Sequence, residues 1–125
     1  MDSAQVLQQF WSGFGLKAYD ENTVPEGAMA ANGDKYLTYN VSAAYFDEPV
    51  MMSSSLWYKS QSWAEITEKA MQIGAYIGLG GKFIPFDNGK LWIKRGTPFA
   101  QRMSDENEQI RRIYLNVEVE YLTSQ

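Results

Sequence analysis

The chain has 125 residues, a formal net charge of −4 and a pI near 4.8, with 45% apolar residues that include four Trp, eight Tyr and six Phe. That is material for one domain spanning residues 1–125, burying roughly two-thirds of its unfolded surface, and its acidity argues against gripping nucleic acid through phosphate neutralisation. Cysteine and histidine are both absent, which excludes disulfides, thiolate and imidazole metal sites, cysteine nucleophiles and Ser-His-Asp triads. Only carboxylate or lysine chemistry is left, so the composition points away from an enzyme and implies no cofactor. No apolar run approaches the ~18 residues of a membrane span. The first residues show no basic stretch followed by an apolar one, so no secretory signal is expected.

From Ser3 to Phe14 the chain has a helical period, with Val6, Phe10 and Phe14 four apart and Leu7 and Trp11 widening the stripe. Ser3 is the candidate cap, and Gly13 and Gly15 loosen the end. Asp20 to Asp34 reads as an irregular connector around Pro25, Gly27 and Gly33. Its Asp20-Glu21-Asn22 cluster lacks further ligands at calcium-loop spacing, so it reads as a solvated loop.

Tyr36 to Phe46 alternates as a strand, with Leu37, Tyr39, Val41 and Ala43 on one side and Tyr36, Thr38, Asn40 and Ser42 on the other. Asp47-Glu48-Pro49 is a turn, and Val50 to Lys59 returns as a second strand of the same hairpin. Its Ser53-Ser54-Ser55 run has no base beside it, and reads as small side chains set against another subunit. Ser62-Trp63-Ala64-Glu65 fits a capping box for a second helix. Trp63, Ile66, Ala70, Ile73 and Ile77 make its apolar stripe, with Glu65 and Lys69 placed for an ion pair. Gly78-Leu79-Gly80-Gly81 follows that helix. Phosphate-cradling glycines precede one, so this is a C-cap and not an anion site.

Lys82–Phe86 and Lys90–Arg95 form a hairpin across Asp87-Asn88-Gly89. Leu91 and Ile93 share one face, Trp92 and Lys94 the other. Residues 96 to 108 then read as a long loop that displays Phe99, Arg102 and Met103, residue types favoured at interfaces. Ile113 to Leu122 closes the set as a long strand with apolar odd positions and Glu118 and Glu120 on the other face. The expected fold class is α+β, order αββαβββ: a mainly antiparallel sheet with two amphipathic helices packed on one face. The other face, with Tyr36, Trp92, Tyr114, Glu118 and Glu120, stays open to partners.

The block from Leu91 to Gln101, LWIKRGTPFAQ, followed by Arg111-Arg112-Ile113-Tyr114-Leu115 and Glu120-Tyr121-Leu122-Thr123, resembles tail-terminator and minor capsid proteins of long-tailed bacteriophages. Ser55-Leu56-Trp57-Tyr58 and the connector from Ala18 to Pro25 add to the likeness, which covers about Leu16 to Leu122. The resemblance implies a virion structural protein with no catalytic residues. It would form a hexameric ring on the head-proximal end of the tail tube, stop its elongation and join it to the head. The implied partners are further copies of the chain, the tail-tube protein and a head-neck connector protein. DNA would pass through without specific binding. The implied location is the tail–neck junction of the virion, and the bacterial host cytoplasm during assembly. Another neck component, such as a connector, stopper or minor capsid protein, is the alternative reading, and a small-molecule-binding module a more distant one.

Simple geometry is compatible with a ring. A chain of this length has a radius of gyration of about 14 Å and an equivalent sphere roughly 36 Å across. Six such spheres leave a hole of about that width, enough for a DNA duplex, whereas three leave roughly 6 Å. A net acidic conduit would also let DNA slide. The expected subunit or tail-tube interface is Thr97, Phe99, Gln101, Arg102, Met103, Arg111 and Arg112, with the arginines paired to carboxylates outside the subunit or within it. Glu118 and Glu120 are the expected lumen or ring-contact face.

Overall fold

The computed structural model describes residues 1–41 and 48–123 of the chain. The fold is mixed α+β, with one curled six-stranded sheet and three α-helices among the described residues. In chain order the elements are α1 (Ser3–Trp11) continued by a 3-10 turn at Ser12–Phe14, β1 (Ala18–Asp20), α2 (Ala28–Ala31), β2 (Lys35–Tyr39) and β3 (Val50–Lys59). Then come α3 (Ala64–Ile77), β4 (Lys82–Phe86), β5 (Gly89–Met103) and β6 (Ile110–Thr123). The sheet order is β1-β2-β3-β6-β5-β4, and every pairing is antiparallel except β1 with β2. No described helix is long and apolar enough to cross a membrane.

Strand β6 sets the inside and outside of the sheet. Its odd residues Ile113, Leu115, Val117, Val119 and Tyr121 are all buried, as the alternation predicts. They join Leu37, Tyr39, Met52, Leu56, Leu91 and Ile93 from neighbouring strands. The stripes of α1 (Val6, Leu7, Phe10, Trp11) and α3 (Ile66, Ala70, Ile73, Ile77) belong to the same cluster. The sheet curls enough for α1 to touch both β1 and β4, strands at opposite ends of the order. Trp11 of α1 is 1% exposed and meets the rings of Phe10 and Phe14.

Several expectations need correction. The connector from Asp20 to Asp34 holds two short elements, β1 at its edge and α2 within it. Asn32 fastens them, its Nδ2 donating to the Ala28 carbonyl and to the Tyr19 hydroxyl, both at 2.8 Å. Such short pieces leave no periodicity to read. Asp2, not Ser3, caps α1: its Oδ1 accepts from Gln5 N at 2.8 Å while Gln5 Oε1 accepts from Asp2 N at 3.0 Å. The capping box at Ser62 does not form, because α3 starts at Ala64 and Ser62 Oγ accepts from Ala64 N at 3.0 Å instead. Lys69 leaves Glu65 and donates to the Phe14 carbonyl at 2.8 Å, tying α3 to the turn after α1. Glu65 lies 4.0 Å from Lys35.

The first hairpin strand ends at Tyr39, where the register with β3 stops, and Val41 is exposed. Its expected continuation from Ser42, with Ala43 and Phe46, and Asp47 of the turn lie outside the described residues. The serine run is buried within the subunit, which corrects the expectation that it packs against another one. Ser53 Oγ accepts from Asn40 Nδ2 at 2.6 Å, and Ser55 Oγ accepts from Arg112. Ser54 faces the helices between Met52 and Leu56, its hydroxyl without a partner among the described residues.

Two measurements follow from this packing. Gly81 has φ +81°, and a Cβ there would stand 2.5 Å from the Ile93 carbonyl and 2.8 Å from Trp92 Nε1. Gly81→Ala should therefore cost about 2 kcal/mol or more, read as a lower urea midpoint at unchanged slope. Burial, with Glu65 adding to it, pushes the Tyr58 hydroxyl up to about 12, and burial also raises Tyr36, Tyr39 and Tyr121. The unfolded chain loses these protons first, near the ordinary value of about 10. Stability is then complete below about pH 10 and falls as pH rises towards 12. Urea midpoints across that window should decline, less steeply in Tyr58→Phe.

Candidate interaction surface

The stretch from Gly96 to Glu108 is where sequence and structure part most. Only Ser104–Gln109 is a loop, because β5 runs on to Met103 beside β6. Strand pairing is broken at one place. Arg95 lies opposite Val117 and Ala100 opposite Leu115, so β5 takes five steps where β6 takes two. This bulge holds Gly96, Thr97, Pro98 and Phe99, and the Thr97–Pro98 peptide is cis. Asn116 on β6 closes it, its Nδ2 donating to the Pro98 carbonyl at 3.0 Å and to Gln101 Oε1 at 3.2 Å. A Cβ on Gly96 would stand 2.9 Å from Asn116 Cβ and 3.0 Å from Met51 Cε, so the crossing needs glycine.

The bulge turns the Phe99 ring onto α3. There it lies over Gly74, where a Cβ would meet the ring at 3.0 Å. Between α3 and β5 runs an open groove of about 390 Å3, lined by Ala70, Met71, Gly74, Phe99 and Ile113 with Arg95 and Arg102. Of its walls Met71 is 70% exposed, and beyond it Leu79 is 96% exposed.

Strand geometry divides the seven expected interface residues. Facing residues of a ladder share a face, so Arg102 opposite Ile113 lies on the helix side, whereas Gln101 opposite Tyr114 and Met103 opposite Arg112 lie on the outer side. Phe99 belongs to the helix side and Thr97 is exposed on the bulge. Arg111 and Arg112, adjacent on β6, separate in the same way. Arg102 and Arg111 sit over the Trp63 ring at 4.6 and 5.4 Å, and Arg111 also donates to the Glu108 and Gln61 carbonyls at 2.9 and 3.1 Å. Arg112 lies 4.4 Å over Trp57 and 5.8 Å from the centre of Tyr114, with Nε and a terminal NH2 donating to Ser55 Oγ at 3.2 and 3.1 Å. None of the three makes a salt bridge among the described residues. The expected single interface is therefore two surfaces, one on each side of the sheet.

The outer face is an aromatic and charged platform that the sequence reading only partly named. Tyr36 stacks on Trp57 with ring centres 6.1 Å apart, and Tyr19 meets Tyr36 edge-on. Trp57 Nε1 donates to Thr38 Oγ1 at 2.9 Å. At the other end Phe83 stacks on Trp92, and Lys94 lies 4.0 Å over the indole. Lys94 also stands between Glu120 at 3.1 Å and Glu118 at 3.7 Å. These two carboxylates are thus half neutralised inside the subunit. Tyr19, Trp57 and Phe83 join this face through register, and an isolated strand period could not place them together. The Asp20-Glu21-Asn22 cluster is a turn in which Asn22 N donates to Asp20 Oδ1 at 2.9 Å. Among the described residues no three acidic, histidine or cysteine side chains come together to hold a metal ion.

The chain matches no protein-family model and has no significant match among curated proteins.

Arg112 is the fulcrum of the outer platform, since its guanidinium links Trp57, Tyr114 and Ser55. Lysine keeps the charge but lacks the planar fork that spans them. Arg112→Lys should cost about 1 kcal/mol and weaken the near-UV circular dichroism of the indoles. An unchanged spectrum and midpoint would show that the fork holds nothing in place.

Proposed function

We propose that the chain is a structural protein of a bacteriophage virion, a tail terminator. In this reading it forms a ring on the head-proximal end of the tail tube, halts tube growth and presents the surface that joins the head. The observation that carries the reading is the bulged half of β5 with the adjoining side of α3. There, exposed Met71, the half-buried Phe99 and two arginines without carboxylate partners among the described residues line one open groove, and exposed Leu79 follows at the end of α3. Contiguous apolar surface of this kind marks a contact site more often than an idle surface.

Three further features support it. The phrases from Leu91 to Gln101 and from Arg111 to Leu115 resemble those of terminators, and in the fold they are neighbouring strands of one ladder. The α+β layer of helices and curled sheet agrees in class with what that resemblance implies. The Glu118–Lys94–Glu120 group keeps one net negative charge on the outer face, which suits a wall that DNA slides past. A ring of six copies, with the tube protein and a head-side connector as partners, follows from the same reading.

Light scattering and negative-stain microscopy with purified tail tubes test it. Rings capping one end of tubes of uniform length are expected. Binding to portal-bearing heads with no effect on tubes would move the protein to a head-side neck component, and binding to neither would end the virion reading. Arg102→Glu should leave the unfolding free energy within about 1 kcal/mol, because Arg102 is exposed, has no salt bridge among the described residues and lies over the Trp63 face. It should still reduce tube capping. Undiminished capping would remove this side of β5 from the contact.

A further inference from the structure

The groove between α3 and β5 has walls but no occupant among the described residues. Ala70, Met71 and Phe99 make it apolar, and Arg95 and Arg102 stand at it with no carboxylate in salt-bridge reach among the described residues. Thr67 also lines it, and its hydroxyl is buried without a hydrogen-bond partner among those residues. A trough of this kind selects a segment with an apolar middle and a carboxylate towards each end. Arg95 lies opposite Val117 and Arg102 opposite Ile113. Four residues of β6 separate those positions, about 14 Å.

One described segment of this chain has the matching pattern. The connector after β1 runs Glu21-Asn22-Thr23-Val24-Pro25-Glu26, with Glu21, Pro25 and Glu26 exposed and Val24 partly so. Neither glutamate has a salt bridge among the described residues. Five residues span at most roughly 17 Å, so Glu21 and Glu26 can bracket the distance between the two arginines. The start of the connector is fastened, with Glu21 N donating to the Tyr39 carbonyl and Thr23 N to the Asp20 carbonyl, both at 2.9 Å. It therefore stays beside β1, four strands from β5 in the sheet order, or about 19 Å along the sheet. The connector does not line the groove of its own subunit.

We propose that the connector of one copy seats in the α3–β5 groove of the next. Glu21 and Glu26 meet Arg95 and Arg102, and Val24-Pro25 covers Met71 and Phe99. The two surfaces differ, so the contact is head-to-tail. Such a contact closes into a ring or continues as a filament. The inference rests on the terminator reading for closure, and it names the subunit contact that the reading leaves open.

The absence of cysteine makes the test direct. A chain carrying both Val24→Cys and Met71→Cys, oxidised with and without tail tubes, should give a ladder of dimers, trimers and larger species on non-reducing gels. Either single variant should stop at dimers. Adding Arg95→Glu and Arg102→Glu should cut ladder yield about tenfold, and adding Glu21→Arg and Glu26→Arg as well should restore it. Circular dichroism establishes that each variant is folded. No ladder from the folded double-cysteine chain under either condition overturns the contact, as does a ladder indifferent to charge reversal. A charge-dependent ladder in a protein that never caps tubes would keep the contact and remove the terminator. Capping without a ladder would do the reverse.

Discussion

The two-residue period of β6 is the constraint on which the rest of the fold depends. This strand is paired on both sides, with β3 along one edge and β5 along the other. Its alternation fixes which residues of both neighbours meet the helices. A slip of one residue would bring Glu118 and Glu120 into the core and put Val117 and Val119 outside. The desolvation of two carboxylates makes that slip prohibitive. Helices α1 and α3 then have one apolar surface to cover, and their stripes join it in a single cluster. The curl of the sheet lets the short α1 reach both end strands, so the segment farthest from β6 in sequence closes the seam.

The one departure from that regularity is where surface chemistry collects. A bulge inserts residues that the ladder cannot pair, and here the surplus carries Phe99 out of the sheet plane and onto Gly74. Without a side chain at Gly74, the ring lies directly against the helix. The groove lies beside that ring, between α3 and the bulged part of β5. Helix propensity would prefer alanine at position 74 by roughly 1 kcal/mol. The glycine there gives up that amount and makes room for the ring.

Elements long enough to show a period were legible in the sequence. The apolar stripes of α1 and α3, the face of β6 and the hairpin across Asp87-Asn88-Gly89 all stand as their spacing predicts. What could not be read has physical causes. Gly96 and Pro98 punctuate like a loop, and only pairing with β6 reveals that Phe99 to Met103 continue a strand. Helix starts were misplaced twice by one or two residues: the capping box of α1 is Asp2 with Gln5 and not Ser3, and Ser62 reaches Ala64 N two residues on instead of closing a box with Glu65. Lys69 took a carbonyl from the far end of α1's turn over a glutamate one helical turn away. An exposed ion pair is worth little, so a well-placed carbonyl wins that competition. The residues expected at the interface could be named from the sequence but not assigned to a common surface, since adjacent strand positions such as Arg111 and Arg112 face opposite ways.

That division bears on where binding energy can come from. On the outer face the described cations are already engaged, Lys94 with two glutamates and an indole, Arg112 with Ser55 and two rings. A partner there would have to displace contacts the subunit makes with itself, so its gain would be small. On the helix side neither Arg95 nor Arg102 has an ion pair among the described residues, and Arg102 lies over the face of Trp63. Apolar walls beside them stay wet until covered. Excluding water from such a place strengthens each charge pair formed across it. Of the two surfaces, the helix side of the bulge therefore has more free energy to gain on contact, and the pre-paired outer face is the one suited to remain exposed.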